Sequence, residues 1–413
     1  MGAKGIETPH LPPSFAAASR SVAVTPKGWP LARRAREIAP FHVMLLLARA
    51  RELEAQGRDI VHLEIGEPDF ATPRPVCEAG MAALERGELF YTPALGIPEL
   101  RAAIAGFYQT RYGMRIAPSR VVVTTGSSGA LLLALAALVN PGDQVLMADP
   151  GYPANRHVVR LLEGEALGIP VGPDSRYQLT TALLQQYWGS RTVAALVATP
   201  SNPTGTLIDD ADLRAMAALA RARGGALIID EIYHGLVYEG ATPSAADAGD
   251  NVFVINSFSK YFNMTGWRLG WMVAPERYVG DIDKLSQNVY LSAPTPAQLA
   301  ALAAFTPETL ATCDARREVF RERRDYLLPA LRELGFAIPT TPQGAFYVYA
   351  DCSRFTRDSH AFALDLLEQA GVAITPGIDF GAHRAQAHVR FAYTRPVERL
   401  REGVRRIAQF LSA

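Results

Sequence analysis

One lysine in this chain stands where its amine could become reactive. Lys260 lies in Ser257-Phe258-Ser259-Lys260, and Arg268 follows in Thr265-Gly266-Trp267-Arg268. The flanking runs Asn251 to Asn256 and Leu269 to Val273 are apolar and of strand length, so Lys260 falls in a connection between two buried strands. Desolvation disfavours the ammonium, and a neutral amine can form a Schiff base with an aldehyde. Ser257, Ser259 and Arg268 offer hydroxyls and a planar guanidinium to a phosphate. This cluster suits a lysine that carries pyridoxal phosphate beside a phosphate clamp; a plain polar turn is the competing reading of any one residue alone.

Three further stretches place polar groups just after apolar runs, where α/β sheets bind ligands. Gly126-Ser127-Ser128-Gly129 opens a helix after a strand at 120–124, and its free N–H groups favour a phosphate, although an ordinary serine-capped helix has the same look. Asn202 sits between Pro200 and Pro203 and could donate to a phenolate oxygen or simply form a turn. Asp230 ends the run at 226–229, and a buried carboxylate needs a cationic or hydrogen-bonding partner. A protonated pyridine nitrogen is such a partner, and keeping it protonated makes the ring an electron sink. Tyr233 would share the ring phenolate with Asn202; a helix N-cap is the alternative for Asp230. The serine elbow and the Walker and dinucleotide glycine patterns are absent.

With 413 residues, 49% of them hydrophobic and 20% charged, the chain can bury a core for two or more domains. The 41 basic and 41 acidic residues balance, so no field draws it to nucleic acid or to an anionic membrane. Cys77, Cys313 and Cys352 have neither zinc spacing nor a paired framework, so no metal and a reducing cytoplasm are expected. The most apolar run, Ala130 to Val139, is far shorter than the ~20 residues of a membrane span.

These groups need a scaffold. Residues 1–30, interrupted by five prolines, read as a flexible extension. A helical pattern covers 31–56 and ends at Gly57, and 60–65 alternates as a strand before the turn from Gly66. Strands at 120–124, 144–148, 193–198, 226–229 and 252–255 then alternate with helices such as 74–86 and 209–223. Near-continuous apolar strands separated by helices predict an α/β fold, a mostly parallel sheet covered on both faces. From 295 a long charged helix through Arg332 leads into shorter elements near 345–350, 359–370, 372–374 and 388–392, as in an α+β unit. The expected division is a large domain at 66–294 and a smaller one built from 31–65 and 295–413.

The order Asn202, Asp230, Lys260, Arg268 resembles the class I/II family of pyridoxal-phosphate-dependent aminotransferases of fold type I, from about residue 31 to the C-terminus. The resemblance implies that Lys260 is the Schiff-base lysine and proton carrier, that Asp230 pairs with the pyridine nitrogen, and that Asn202 and Tyr233 contact the phenolate. It assigns the phosphate to Ser127, Ser128, Ser257 and Arg268, and stacking on the ring to Tyr152. Tyr91 matches a tyrosine that reaches the phosphate of a neighbouring subunit, which implies a homodimer with shared sites. Arg390 matches the arginine that grips the substrate α-carboxylate, and Gly66 a glycine whose backbone closes over the substrate.

The implied activity moves the α-amino group of an L-amino acid to a 2-oxo acid. A pyridoxal-phosphate lyase or synthase acting at the β or γ carbon would use the same cofactor site, and a cofactor-binding regulator reuses the fold. The N-terminal thirty residues are too few and too proline-rich for a DNA-binding helix pair. Sequence alone does not locate a second cation for a dicarboxylic substrate, although Arg20, Arg33, Arg34 and Arg36 lie near the chain's start.

Overall fold

A computed structural model of the protein describes residues 30–87, 89–239 and 243–412. The expected flexible extension, apart from Pro30, lies outside the described residues. In chain order the strands are β1 (Val61–His62), β2 (Val121–Thr124), β3 (Gln144–Asp149), β4 (Glu165–Pro170), β5 (Thr192–Ala198) and β6 (Ala226–Asp230). They continue with β7 (Val252–Ser257), β8 (Gly270–Val273), β9 (Tyr347–Asp351), β10 (Val372–Ala373), β11 (Thr375–Pro376) and β12 (His388–Ala392).

Seven of these form one sheet in the order β2-β8-β7-β6-β5-β3-β4. Pairing is parallel from β4 through β7, while β8 runs antiparallel to both β7 and β2. Alternate residues of the central strands enter two separate cores. Ala195, Val197, Leu227, Ile229 and Val254 join one; Ala194, Leu196, Ala226, Ile228 and Phe253 join the other. Both faces are therefore buried, which is why these strands read as continuous apolar runs. The expected mostly parallel, helix-covered sheet is the fold.

The remaining strands make two small sheets: β1 pairs parallel with β10, and β11-β12-β9 is antiparallel. The helices Pro307–Glu333, Ser359–Ala370 and Val397–Ser412 accompany them.

Several expected elements are shorter than their patterns. The helix expected over 31–56 is two, Arg33–Glu37 and His42–Ala55, because Pro40 lacks an N–H and restricts Ala39. The helix expected from 295 breaks before Pro307: Thr306 accepts the Thr309 N–H at 3.3 Å and starts a new helix with proline in its first turn. The strand expected over 60–65 pairs only at Val61 and His62. The helix Pro153–Leu161 and strands β4 and β11 are elements beyond those expected from the sequence. The three cysteines are unpaired, and no described helix is long and apolar enough to cross a membrane.

Candidate active site

The parallel strands all deliver their carboxyl ends to one edge of the large sheet. Asp149 ends β3, Ala198 ends β5, Asp230 ends β6 and Ser257 ends β7; because β8 runs the other way, its start at Gly270 joins them. The loops that leave this edge line a cavity of about 230 Å³. Of the residues singled out in the sequence, Gly66, Ser127, Tyr152, Asn202, Asp230, Tyr233, Lys260 and Arg390 border it. They come from segments up to hundreds of residues apart, so the fold brings together most of the expected set.

Lys260 is half-buried, and its Nζ donates to the Gly66 carbonyl at 2.6 Å. Burial is the main reason its ammonium falls to about 8; Arg390 and Arg268 push the same way, and the Glu67 carboxylate opposes them. Asp230 moves in the opposite sense. Burial raises its carboxyl to about 6, against the Ile232 N–H that donates to Oδ1 at 3.0 Å. Asp230 thus makes a local turn and is also an acid in want of a cation.

Arg390, 5% exposed, comes from β12 of the small three-stranded sheet. Its Nη1 donates to Asn202 Oδ1 at 2.9 Å, and its Nη2 donates to the Glu64 carbonyl at 2.5 Å and to Thr375 Oγ1 at 3.2 Å. Nε is buried without a partner. The guanidinium carbon lies 4.2 Å from the Tyr347 ring centroid and 5.0 Å from that of Phe380. Two aromatic faces therefore hold its plane. Tyr233 and Tyr347 share a hydroxyl–hydroxyl hydrogen bond of 2.8 Å, and burial holds the Tyr233 phenol well above its usual range.

The serines and Arg268 gather at the other end of the site. The helix Gly126–Ala136 starts there with no side-chain cap, which leaves its first N–H groups free. A Cβ on Gly126 would stand 2.7 Å from Arg268 Nη2, and one on Gly270 would meet the Ser127 nitrogen at 2.7 Å. Only glycines permit this approach of backbone, guanidinium and β8. Ser257 is buried, and its hydroxyl lies within hydrogen-bond reach of Ser259 Oγ at 3.0 Å and of the Leu269 carbonyl at 3.2 Å, with one proton to give to either. Ser128 is on the same helical turn but exposed, and does not border the cavity. Tyr91 does not border it either; it is 83% exposed beside the equally open Phe90.

Sequence reasoning missed Tyr347, Thr375, Asp379 and Phe380, and the apolar wall Phe41, Val43, Met44 and Ile65. Tyr347 lies in a run that reads only as a buried strand, and nothing in the His42–Ala55 pattern marks which of its faces meets a ligand. Those contacts come from packing between remote segments.

Comparison with known proteins places the chain in a family. Residues 58–407 match the family profile described as aminotransferase class I and II. The valine–pyruvate aminotransferase of Mycobacterium tuberculosis is 44% identical over 376 residues, 91% of this chain and 97% of that protein. The aspartate/prephenate aminotransferase of Thermus thermophilus is 37% identical, over 92% of this chain and 98% of its own length. A crystal structure of an aminotransferase from Mycobacterium tuberculosis superposes with a TM-score of 0.90 at 44% identity, covering 93% of this chain and 99% of that one. The strand-end cavity, the matched profile and these relatives agree: this chain belongs to the class I and II aminotransferases, enzymes that transfer amino groups between amino acids and oxo acids.

Proposed function

We propose that this aminotransferase uses pyridoxal phosphate held by Lys260, and that its donor is an L-amino acid with an apolar side chain. The observation that carries the reading is that Lys260, Asp230, Tyr233, Asn202 and Arg390 border one cavity. The residues present fit the cofactor. Asp230 is an acid without a cation, the uncapped start of Gly126–Ala136 with Arg268 and Ser127 suits a phosphate, and Tyr152 supplies an aromatic ring at the border of the cavity.

When bound, pyridoxal phosphate supplies an aldehyde that captures amines and a protonated ring that draws electrons from the breaking bond. Lys260 Nζ would hold the cofactor and, once the substrate amine displaces it, its free amine would take the proton from the substrate Cα and return it. With its amine near 8, a useful neutral fraction exists at neutral pH. Asp230 keeps a proton on the ring nitrogen, and Asn202 and Tyr233 donate to the phenolate. Ser127, Ser257 and Arg268 would hold the phosphate, with Ser128 offering the backbone N–H of the uncapped first turn rather than a side chain in the cavity; Arg390 would bind the α-carboxylate, and the Gly66 backbone would border the substrate.

Lys260 and Arg390 are the only cations among the described residues that border the cavity, whereas Phe41, Val43, Met44, Ile65 and Phe380 are apolar. That supports an apolar donor, in keeping with the valine and pyruvate in the name of the 44%-identical relative. Exposed Met81, Leu84, Phe90 and Tyr91 support a homodimer in which Tyr91 serves the partner's phosphate. The division at 66–294 against 31–65 and 295–413, and a cytoplasmic location, belong to the same reading.

A panel of L-amino acids offered with pyruvate or 2-oxoglutarate tests it. The expected result is alanine or glutamate formed in step with loss of an apolar donor, and none with Lys260→Ala. Ammonia released with no amino acid product would replace the reading with a lyase.

A further inference from the structure

The apolar wall of the cavity is tied down at one point. Phe41, Val43 and Met44 open the helix His42–Ala55, and Phe41 supplies no side-chain cap. No acidic residue stands in the first turn. The cap comes instead from Asp379, remote in sequence and 2% exposed. The His42 N–H donates to its Oδ1 at 2.7 Å and the Val43 N–H to its Oδ2 at 2.8 Å. One carboxylate thus satisfies two of the four free N–H groups of this helix and complements its positive end.

The same residue is anchored on the opposite side of the cavity. The Asp379 carbonyl accepts from Arg156 Nη2 at 2.6 Å, and the next carbonyl, that of Phe380, accepts from the Gly151 N–H at 2.8 Å. Asp149 Oδ2 accepts from the Ala382 N–H at 2.9 Å. The turn from Asp379 to Ala382 is therefore strapped to the segment that carries Tyr152, and the Phe41 ring meets Tyr152 edge-on at 6.2 Å. The wall reaches the ring-stacking side of the site through Asp379.

We propose that Asp379 is a positioning residue for donor selectivity: its carboxylate holds Phe41, Val43 and Met44 as the surface against which the donor's side chain packs. This rests on the aminotransferase reading above and adds to it the device that sets side-chain preference. A methyl side chain makes little use of that wall, whereas a branched one packs on it. Loss of the cap costs the larger donor more, because a displacement of about 1 Å at a packed surface is felt strongly in kcat/KM.

The test compares L-valine with L-alanine as donors to 2-oxoglutarate, for the full-length holoenzyme and for Asp379→Ala and Asp379→Asn. The expected result is a fall of about tenfold in the valine-to-alanine ratio of kcat/KM for Asp379→Ala, most of it in KM for valine. Asp379→Asn keeps one acceptor oxygen and should fall between. A structural role alone would lower both donors in parallel, so a ratio within about twofold of wild type in a folded variant overturns the proposal. If Asp379→Ala does not fold, Asp379→Asn decides by the same ratio. Failure of wild-type enzyme to transaminate either donor would overturn the parent reading, a result distinct from an unchanged ratio.

Discussion

Arg390 Nη1 donates to Asn202 Oδ1 at 2.9 Å, across 188 residues of sequence. The bond joins β12 of the small three-stranded sheet to the loop after β5 of the large one. In the proposed reading this pair links the residue that grips the substrate carboxylate to one that contacts the cofactor, so a change at either is expected to be felt at both. Arg390→Lys loses the planar fork and leaves the Glu64 carbonyl and Asn202 Oδ1 with poorer partners. The expected loss in kcat/KM is about 10²-fold, or ~2.7 kcal/mol, with KM rising. Steady-state kinetics at a saturating second substrate measure it, and a wild-type KM would remove Arg390 from the carboxylate site.

Asp230 carries a cost in the apoprotein. Its folded-state value of about 6 lies above the ordinary 3.8, so the fold binds a proton more tightly than the unfolded chain does. The penalty is absent below pH 3.8, grows as pH rises through 6 and is constant above it. Asp230→Asn should therefore raise apoprotein stability at pH 8 by about 1–3 kcal/mol, with the gain shrinking below pH 6. The same variant should lose about 10²–10³ in rate, since its amide cannot hold the ring proton. Urea denaturation of apoprotein at pH 5 and pH 8, beside turnover of holoenzyme, separates the two effects.

Gly66 has no room for a side chain. A Cβ there would collide with the Tyr347 hydroxyl, and the Gly66 carbonyl also accepts from Lys260. Gly66→Ala is expected to cost about 1–3 kcal/mol and to reduce activity. Tyr347→Phe removes the nearest atom of the clash, so the double variant should regain part of that stability. Additive losses in the double-mutant cycle would show that the two positions do not meet.

Tyr91 gives the proposed dimer its sharpest test. If its hydroxyl serves the partner's phosphate, Tyr91→Phe weakens cofactor binding by about tenfold. Lys260→Ala is inactive by itself. Mixed dimers of the two variants contain one site with both groups intact and should recover wild-type cofactor affinity at about half the wild-type turnover, an affinity that unmixed Tyr91→Phe lacks. No recovery in verified heterodimers would confine Tyr91 to packing.

Much of the site could be read without coordinates because its chemistry recurs at strand ends. Asp230, Lys260 and Asn202 each follow an apolar run, and a parallel sheet sends all such ends to one edge. The unread part is contributed sideways. Tyr347 opens β9, whose run of buried residues marks burial and nothing more, and Asp379 is one acid in a short turn until it meets the start of a helix formed early in the chain.

The sequence by itself determined the fold class and singled out Lys260 and Asp230, which the fold brings to one cavity, because burial and periodicity act locally and those residues lie at or just past the ends of their own strands. Tertiary structure alone decided the walls of the pocket: Arg390 between Tyr347 and Phe380, Gly66 beneath Tyr347, and Phe41 to Met44 held by Asp379. Such contacts depend on how small-sheet segments settle on the large sheet. That docking is fixed by the summed packing of many side chains, which no local pattern records.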